Sequence, residues 1–144
     1  MNIKDIIIST DRSKLQPEVI HAFLSSSYWA SGIPLATMLR SFEHSICFGV
    51  YYEDKQVGFA RVVTDETTFA YLADVFILEE FRGKGIADLL MKFIMDYPAL
   101  QGLRRWLLAT RDAHGLYAKH GFKILGMPGR WMEVHNPAVY ADQK

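Results

Sequence analysis

Residues 79–90, which read EEFRGKGIADLL, place two glycines and two basic side chains at the start of a helical pattern. Glycine has no Cβ, so a ligand can approach the backbone closely, and the first N–H groups of a helix have no intrahelical partner. The helix dipole adds partial positive charge at this point, and Arg82 and Lys84 add full charges. This stretch predicts a site for a phosphate-bearing ligand, the alternative being an ordinary turn with solvated basic residues.

Two common nucleotide-binding motifs do not fit these letters. A phosphate-binding P-loop has Ser or Thr directly after its Gly-Lys pair, whereas Gly85 follows Lys84 here. A dinucleotide fingerprint needs a third small residue where Asp88 stands, and it belongs on the first strand of its fold. Both motifs are therefore excluded.

The hydrophobic pattern indicates the elements that position this loop. Alternating and helical periods predict the order β-α-α-β-β-β-α-β-α-β-β, which is a single mixed α/β domain over residues 1–144. Asp112 is the expected N-cap of the last helix and Gly121 its stop. The predicted elements are a strand at 6–9, helices at 16–24 and 34–42, a hairpin over 45–64, a long apolar strand at 68–78, a helix from 86, a strand at 104–110, a helix within 112–122, and short strands at 122–125 and 130–134.

Composition restricts the class of protein. A chain of 144 residues suits one domain, and half of its residues are hydrophobic. The formal net charge is zero, which argues against nucleic-acid and membrane partners. The apolar run at 6–8 is too short for a signal peptide or a membrane span, and Cys47 is the single cysteine. We therefore expect a cytoplasmic protein without a disulfide and without a metal site.

Residues 82–87, RGKGIA, satisfy the pattern Arg/Gln-x-x-Gly-x-Gly/Ala and resemble the acetyl-CoA pyrophosphate loop of the GCN5-related N-acetyltransferases, the GNAT family. LADVFILEEFRGKGIADLLM resembles that family's central strand, loop and helix, and GLYAKHGF resembles its later helix with a tyrosine. VGFARVV resembles the strand before the central one, and the order of elements also matches. The resemblance implies the GNAT, or acyl-CoA N-acyltransferase, fold: a mixed α+β arrangement whose central, mixed, mostly antiparallel sheet is flanked by helices.

The resemblance also implies where acetyl-CoA, the expected co-substrate, is bound. The pyrophosphate cradle is then formed by Arg82, Gly83, Lys84, Gly85, Ile86 and Ala87. In the family, the end of the central strand separates from its neighbour and its backbone pairs with the pantetheine arm; the matching residues are Val75, Phe76 and Ile77. The N–H at Val75 or Ile77 is expected to face the thioester carbonyl and to stabilise the oxyanion.

Acetyl transfer to an amine requires a neutral amine, a stabilised oxyanion and a proton for the leaving thiolate. Tyr117 matches the family tyrosine that approaches the sulfur, so the resemblance makes it the general acid, with a core aromatic as the alternative. The position of the glutamate base in some members falls near Tyr71, which is not acidic. Asp74 is the second catalytic candidate, either as a base or substrate anchor, or as a structural carboxylate partnered by Arg61 or a backbone group. A chain of water molecules could also replace a dedicated base.

Tyr28 and Trp29 lie between the first two helices, where the family lines its acceptor side. They either bind the acceptor or close the core. The expected activity is transfer of an acetyl group from acetyl-CoA to a primary amine of a small molecule or peptide, by direct attack in a ternary complex. The alternatives are a non-catalytic acyl-CoA-binding sensor and an interaction module on the same fold. The sequence leaves open the acceptor, the range of acyl groups, and the choice between monomer and homodimer.

Overall fold

The computed structural model describes residues 1–141, and its strands form one five-stranded sheet in the order β1-β2-β3-β4-β5. Strands β1 to β4 pair antiparallel with their neighbours, and β5 pairs parallel with β4. This confirms the mixed, mostly antiparallel sheet. The strands are β1 (Ile7–Ser9), β2 (Ile46–Tyr52), β3 (Lys55–Thr64), β4 (Phe69–Ile77) and β5 (Arg105–Leu107).

Helices cover both faces of the sheet. They are α1 (Pro17–Ser25), α2 (Leu35–Glu43), α3 (Ile86–Met95) and α4 (His114–Ala118). Buried residues of α1 and α2 form one apolar cluster with Phe59 and Phe76 of the sheet. Buried residues of α3 and α4 form a second cluster with Phe48 and Val62. Because the strands supply residues to both clusters, the central strands are apolar on both faces, as the sequence predicts for β4.

Strand β4 is irregular where it leaves the middle of the sheet. A register shift in its ladder with β3 leaves Asp74 and Val75 without pairing partners in that strand. Asp74 has a φ of 57°, a left-handed conformation that is uncommon for a non-glycine residue. On the other side, β5 pairs with β4 only along residues 69–71. Beyond that point β4 has no partner strand on the β5 side within residues 1–141, and an opening lies between the two strands.

Two predictions for the C-terminal third are wrong. Ala113, rather than Asp112, is the N-cap residue of α4, and its N–H donates to the hydroxyl of Thr110 at 3.0 Å. Residues 122–125 and 130–134 form no strands in the described chain. Their apolar pattern fits a strand, but a strand also needs a paired neighbour for its backbone groups, and the chain does not bring these residues into the sheet.

Candidate active site

The glycine-rich loop connects β4 to the N-terminus of α3. Gly83 and Gly85 have φ values of 74° and 85°, which glycine adopts without steric cost. Gly85 is the N-cap residue of α3, and no side chain caps this helix. A Cβ at Gly83 would meet no atom within 4 Å, so this glycine is required by its backbone conformation and not by crowding. The loop thus has the backbone geometry of an anion site at a helix N-terminus.

The side chains of the loop have separate roles. Arg82 Nε donates to the carbonyl of Ile77 at 2.9 Å, which ties the loop to the end of β4. Ile86 is 1% exposed, so its side chain belongs to the core and only its N–H is available to a ligand. Lys84 is exposed. Of the two cations in the predicted cradle, Arg82 is therefore bonded to the end of β4, whereas Lys84 has an exposed side chain that can reach a ligand.

Asp88 places a negative charge in the first turn of α3. Its Oδ1 lies 2.9 Å from His120 Nε2, and its Oδ2 accepts from Lys119 Nζ at 3.4 Å. The hydrogen bond with His120, followed by the contact with Lys119, lowers the pKa of the Asp88 carboxyl. These contacts join α3 to the end of α4 and offset a charge that would repel an anion at the loop.

The opening between β4 and β5 contains a cavity of about 260 Å³. It brings together side chains that are far apart in sequence. Five of the predicted site residues line it, namely Tyr28, Trp29, Asp74, Val75 and Tyr117. The loop residues 82–87 are not among its lining residues, so the predicted site consists of two regions joined by the end of β4.

Both carboxylate oxygens of Asp74 accept hydrogen bonds from side chains. Oδ1 accepts from Trp29 Nε1 at 2.9 Å, and Oδ2 accepts from Arg61 Nε at 2.8 Å. Arg61 also donates to the hydroxyl of Ser45 at 3.1 Å. The Asp74 side chain is 10% exposed, so its charge is balanced mainly by these partners. This ion pair with Arg61 is the contact expected if Asp74 is a structural carboxylate, which is the alternative to a role as base or substrate anchor.

Tyr28 and Trp29 form an exposed aromatic wall of this cavity. They are 53% and 41% exposed, and their rings meet edge to face with centroids 5.1 Å apart. The Arg111 guanidinium lies over the Tyr28 ring, 4.0 Å from its centroid. The Arg111 backbone N–H also donates to the Tyr28 hydroxyl at 3.3 Å. Both side chains are therefore partly open to the cavity, as an acceptor-binding role requires.

Tyr117 lies on α4 with its ring in the apolar cluster beneath α3 and at the border of the cavity. It is 9% exposed and meets Phe122 edge to face at 6.1 Å. Burial, with smaller contributions from Tyr28 and Asp112, raises the pKa of Tyr117 to about 12. Its hydroxyl is therefore protonated throughout the neutral range. Ring packing and an available proton donor are present in the same residue.

The sequence did not indicate two contacts that hold the side chains around this cavity. Arg111 contacts Tyr28 across 83 positions of the chain, and Ser45 contacts Arg61 across 16. Neither contact has a local sequence signal. Phe76 is 4% exposed and stacks on Phe23 with centroids 4.1 Å apart, so only its backbone is open to a ligand.

Residues 1–141 contain neither the side-chain cluster of a metal site nor a membrane-spanning helix. Within that range, no group of three or more His, Cys, Asp or Glu side chains is placed to hold a metal ion. No helix in the same range has both the length and the apolar character needed to cross a membrane.

Known proteins are similar to this chain in sequence and in fold. The family model described as "Acetyltransferase (GNAT) family" matches residues 15–122. The "Putative acetyltransferase FG08082" of Gibberella zeae is 36% identical, with 81% of this chain and 77% of that protein covered. The crystal structure of a GNAT-family "putative acetyltransferase" from Xanthomonas campestris pv. campestris is 50% identical, with a TM-score of 0.92 over 94% of this chain and 96% of that one.

A more distant structure has the same fold. It is the "predicted acetyltransferase with acetyl-CoA" from Clostridium acetobutylicum, which is 12% identical with a TM-score of 0.67 and covers 90% of this chain and 96% of that chain. The family match spans most of the present chain, and it includes both the glycine-rich loop and Tyr117. The chain belongs to the acetyltransferase (GNAT) family.

Proposed function

We propose that this protein is an acetyl-CoA-dependent N-acetyltransferase that acetylates a primary amine of a small molecule or peptide in a ternary complex. The observation that carries the proposal is the placement of Tyr117 and the unpaired Asp74–Val75 segment around one cavity, on the strand that leads into the glycine-rich loop. Family membership supports acetyl transfer. The acetyl-CoA in the Clostridium acetobutylicum structure supports the choice of donor.

Two features of the chain fit the coenzyme. The uncapped N-terminus of α3, with Gly83 and Gly85 in left-handed conformations, suits the pyrophosphate, and Lys84 adds a positive charge beside it. The part of β4 beyond Tyr71 has no partner strand on its β5 side within the described residues, so its N–H and C=O groups suit the amides of the pantetheine arm. Acetyl-CoA supplies the acetyl group as an activated thioester.

The reaction forms a C–N bond and breaks a C–S bond. A neutral amine attacks the thioester carbonyl, and the N–H of Val75 or Ile77 stabilises the oxyanion that develops there. The tetrahedral intermediate then expels the thiolate, and the attacking nitrogen loses a proton. In this proposal the Tyr117 hydroxyl donates a hydrogen bond to the leaving sulfur, and a water chain accepts the proton from nitrogen.

The pKa of Tyr117 determines how it assists. A pKa of about 12 lies more than three units above that of a free thiol, about 8.5. Complete proton transfer from the phenol to the thiolate is therefore unfavourable unless the phenolate regains a proton. The ammonium proton released by the attacking amine can restore it through water. We infer that Tyr117 stabilises the developing thiolate by hydrogen bonding and passes on a proton that the acceptor supplies.

We assign Asp74 a positioning role at the acceptor side. Both of its oxygens already accept hydrogen bonds, one from Trp29 and one from Arg61, and these contacts commit the carboxylate to holding the two side chains in place. Through Trp29 it fixes one side of the aromatic wall, which we propose contacts the acceptor.

The direct test is release of free CoA thiol from acetyl-CoA with a panel of amines, run beside calorimetric titration with CoA. Acceptor-dependent thiol release supports the proposal. Binding of CoA without thiol release across a broad panel would favour the acyl-CoA-binding sensor. Absence of CoA binding would favour the interaction module.

A further inference from the structure

The cavity between β4 and β5 has an uneven distribution of charge. Among the described residues, two charged side chains line it, Asp74 and Arg111. The Asp74 carboxylate is 10% exposed and forms an ion pair with Arg61, whose Nε lies 2.8 Å from Oδ2. The two charges of this pair largely cancel in the cavity, because they are equal, opposite and close together. Arg111 therefore supplies the net charge that a ligand meets there, and this charge is positive.

The Arg111 guanidinium is open to a ligand. Its side chain is 65% exposed, and its ion-pair partner is Asp112, with Nη2 and Oδ2 3.9 Å apart. Charge-assisted hydrogen bonds are shorter, about 2.7–2.9 Å. The Asp112 side chain is 72% exposed and does not line the cavity, so water screens its charge. The N–H groups of Arg111 can therefore bind an anion in the cavity.

Tyr28 holds Arg111 in place through two contacts. The guanidinium carbon lies over the Tyr28 ring, 4.0 Å from its centroid, and the Arg111 backbone N–H donates to the Tyr28 hydroxyl at 3.3 Å. A guanidinium over a ring contacts it through its flat face and keeps the N–H donors at its edge for a ligand. The Tyr28 oxygen accepts its bond from Arg111, so the phenolic proton can be donated to a second partner. Two kinds of donor thus lie side by side.

These donors lie on the open side of the cavity, opposite its buried side. Tyr28 is 53% exposed, whereas Tyr117, which lines the same cavity, is 9% exposed. The cavity volume of about 260 Å³ is below the range of about 300–1,000 Å³ that is usual for ligand pockets. A ligand that reaches from Arg111 to Tyr117 is therefore a small molecule.

We propose that the acceptor is a small amine that also carries a carboxylate or phosphate group, and that Arg111 and the Tyr28 hydroxyl bind this anionic group. This inference rests on the proposed acetyl transfer and specifies its acceptor. The guanidinium presents its donors in a fork that matches two oxygens of a carboxylate or a phosphate. With the anion held there, the amine of the acceptor extends toward Val75 and Tyr117, where the thioester is proposed to lie.

The positive charge also affects the reacting amine. A nearby cation disfavours an ammonium group and so lowers the pKa of the bound amine, which favours the neutral form that attacks the thioester. The same charge repels polyamines and lysine-rich peptides, which have no anion to offset it. Arg111 thus selects for an anionic acceptor and against a polycationic one.

The test is NMR titration of the CoA-bound protein with matched amines that differ by one anionic group. The pairs are alanine with alaninamide, and phosphoethanolamine with ethanolamine; putrescine serves as the polycation. We expect wild type to bind the anionic member of at least one pair about tenfold more tightly than its partner, and putrescine most weakly. The pair that shows the preference identifies the anion as carboxylate or phosphate.

Variants assign this preference to the two proposed donors. Arg111→Gln should abolish it, Arg111→Lys should retain part of it because the charge remains without the fork, and Tyr28→Phe should weaken it because the ring remains without the hydroxyl. Arg40→Gln is the matched control. It removes the same charge from an exposed position on α2 that does not line the cavity, and it should keep the wild-type preference.

Thiol release with the same pairs separates this inference from the proposed function. The ratio of kcat/KM for the two members of a pair should fall at least about tenfold in Arg111→Gln, and comparison between proteins cancels the intrinsic reactivity of each amine. Turnover of neutral amines without any preference for an anion would overturn the anionic acceptor and leave acetyl transfer standing. Binding of anions that depends on Arg111, without thiol release, would support the anion site and contradict acetyl transfer. Equal Kd values within both pairs in wild type, or an unchanged preference in folded Arg111→Gln, would overturn the inference.

Discussion

The indole Nε1 of Trp29 donates a hydrogen bond to Oδ1 of Asp74 at 2.9 Å, across 45 positions of the chain. The second oxygen of the same carboxylate accepts from Arg61 at 2.8 Å. Asp74 thus joins the loop between α1 and α2 to a strained position of the central strand. Backbone strain of this kind persists where surrounding contacts enforce it, and it is common at functional sites.

Removal of the carboxylate should destabilise the protein. Asp74→Ala leaves the Arg61 guanidinium, whose side chain is 19% exposed, without its anionic partner. We expect a loss of about 2 kcal/mol in the free energy of unfolding, measured by denaturant titration. The control is Asp96→Ala, which breaks an ion pair with Lys92 between side chains that are 66% and 73% exposed, and it should change stability little. Equal stability of Asp74→Ala and wild type would show that this network is not structural.

Trp29 should affect the binding of the acceptor and not the binding of the coenzyme. Trp29→Phe keeps an aromatic ring but removes the N–H that binds Asp74, and Trp29→Ala removes the wall altogether. We expect the acceptor KM to rise in both variants, more in Trp29→Ala, with the Kd for acetyl-CoA nearly unchanged. Steady-state kinetics and calorimetry measure the two quantities. A fall in thermal stability without a selective effect on KM would instead give Trp29 a packing role.

The glycine-rich loop should control coenzyme affinity. Lys84→Ala removes a charge-assisted contact worth about 1.5–3 kcal/mol, so the Kd for CoA should rise by at least about tenfold. Gly85→Val should bind still more weakly, because φ at Gly85 is 85° and a branched side chain would also occupy the space of the phosphate. Lys92→Ala, an exposed lysine of α3 outside the loop, is the control. Wild-type CoA affinity in Gly85→Val would rule out the cradle.

The sequence predicted the sheet and the covering helices because their signals are local. Apolar alternation indicates β2 and β3, and a continuous apolar run indicates β4. The glycines before α3 can also be read directly from the sequence. Both adopt the left-handed backbone conformation that only glycine adopts easily. Among the candidate site residues, the partners of Asp74 could be predicted only in part. Arg61 lies near it on the neighbouring strand, whereas Trp29 does not.

The features that the sequence did not predict correctly, or did not indicate at all, have a common physical origin. Aspartate has only a weak intrinsic preference for the left-handed conformation of Asp74. Hydrogen bonds from Trp29, in the loop between α1 and α2, and from Arg61 on β3 hold the side chain of Asp74. The predicted strands at 122–125 and 130–134 have suitable residues but no partner in the described chain. Strand formation depends on a neighbour that can lie anywhere in the sequence, or in a second copy, so local pattern alone does not decide it.

Burial of Tyr117 should appear in the pH dependence of stability. The pKa of Tyr117 is about 12 in the fold and about 10 in an unfolded chain. The neutral phenol is favoured by folding, so this stabilisation is complete below pH 10 and is lost as pH rises from about 10 to about 12. Two pKa units correspond to about 3 kcal/mol as an order of magnitude. Wild type should lose stability more steeply than Tyr117→Phe across this window in denaturant titrations; parallel curves would contradict the burial effect.

The proposal that this protein transfers acetyl groups with help from Tyr117 is tested most directly by the single-turnover rate of Tyr117→Phe. The substitution keeps the ring and its contact with Phe122 but removes the hydroxyl, so folding and the Kd for acetyl-CoA should be preserved. With a verified amine acceptor and chemistry as the rate-limiting step, we predict that acetyl transfer slows by a factor of about 10² to 10⁴. A Tyr117→Phe protein that transfers acetyl at the wild-type rate would contradict the account and leave Tyr117 a packing residue.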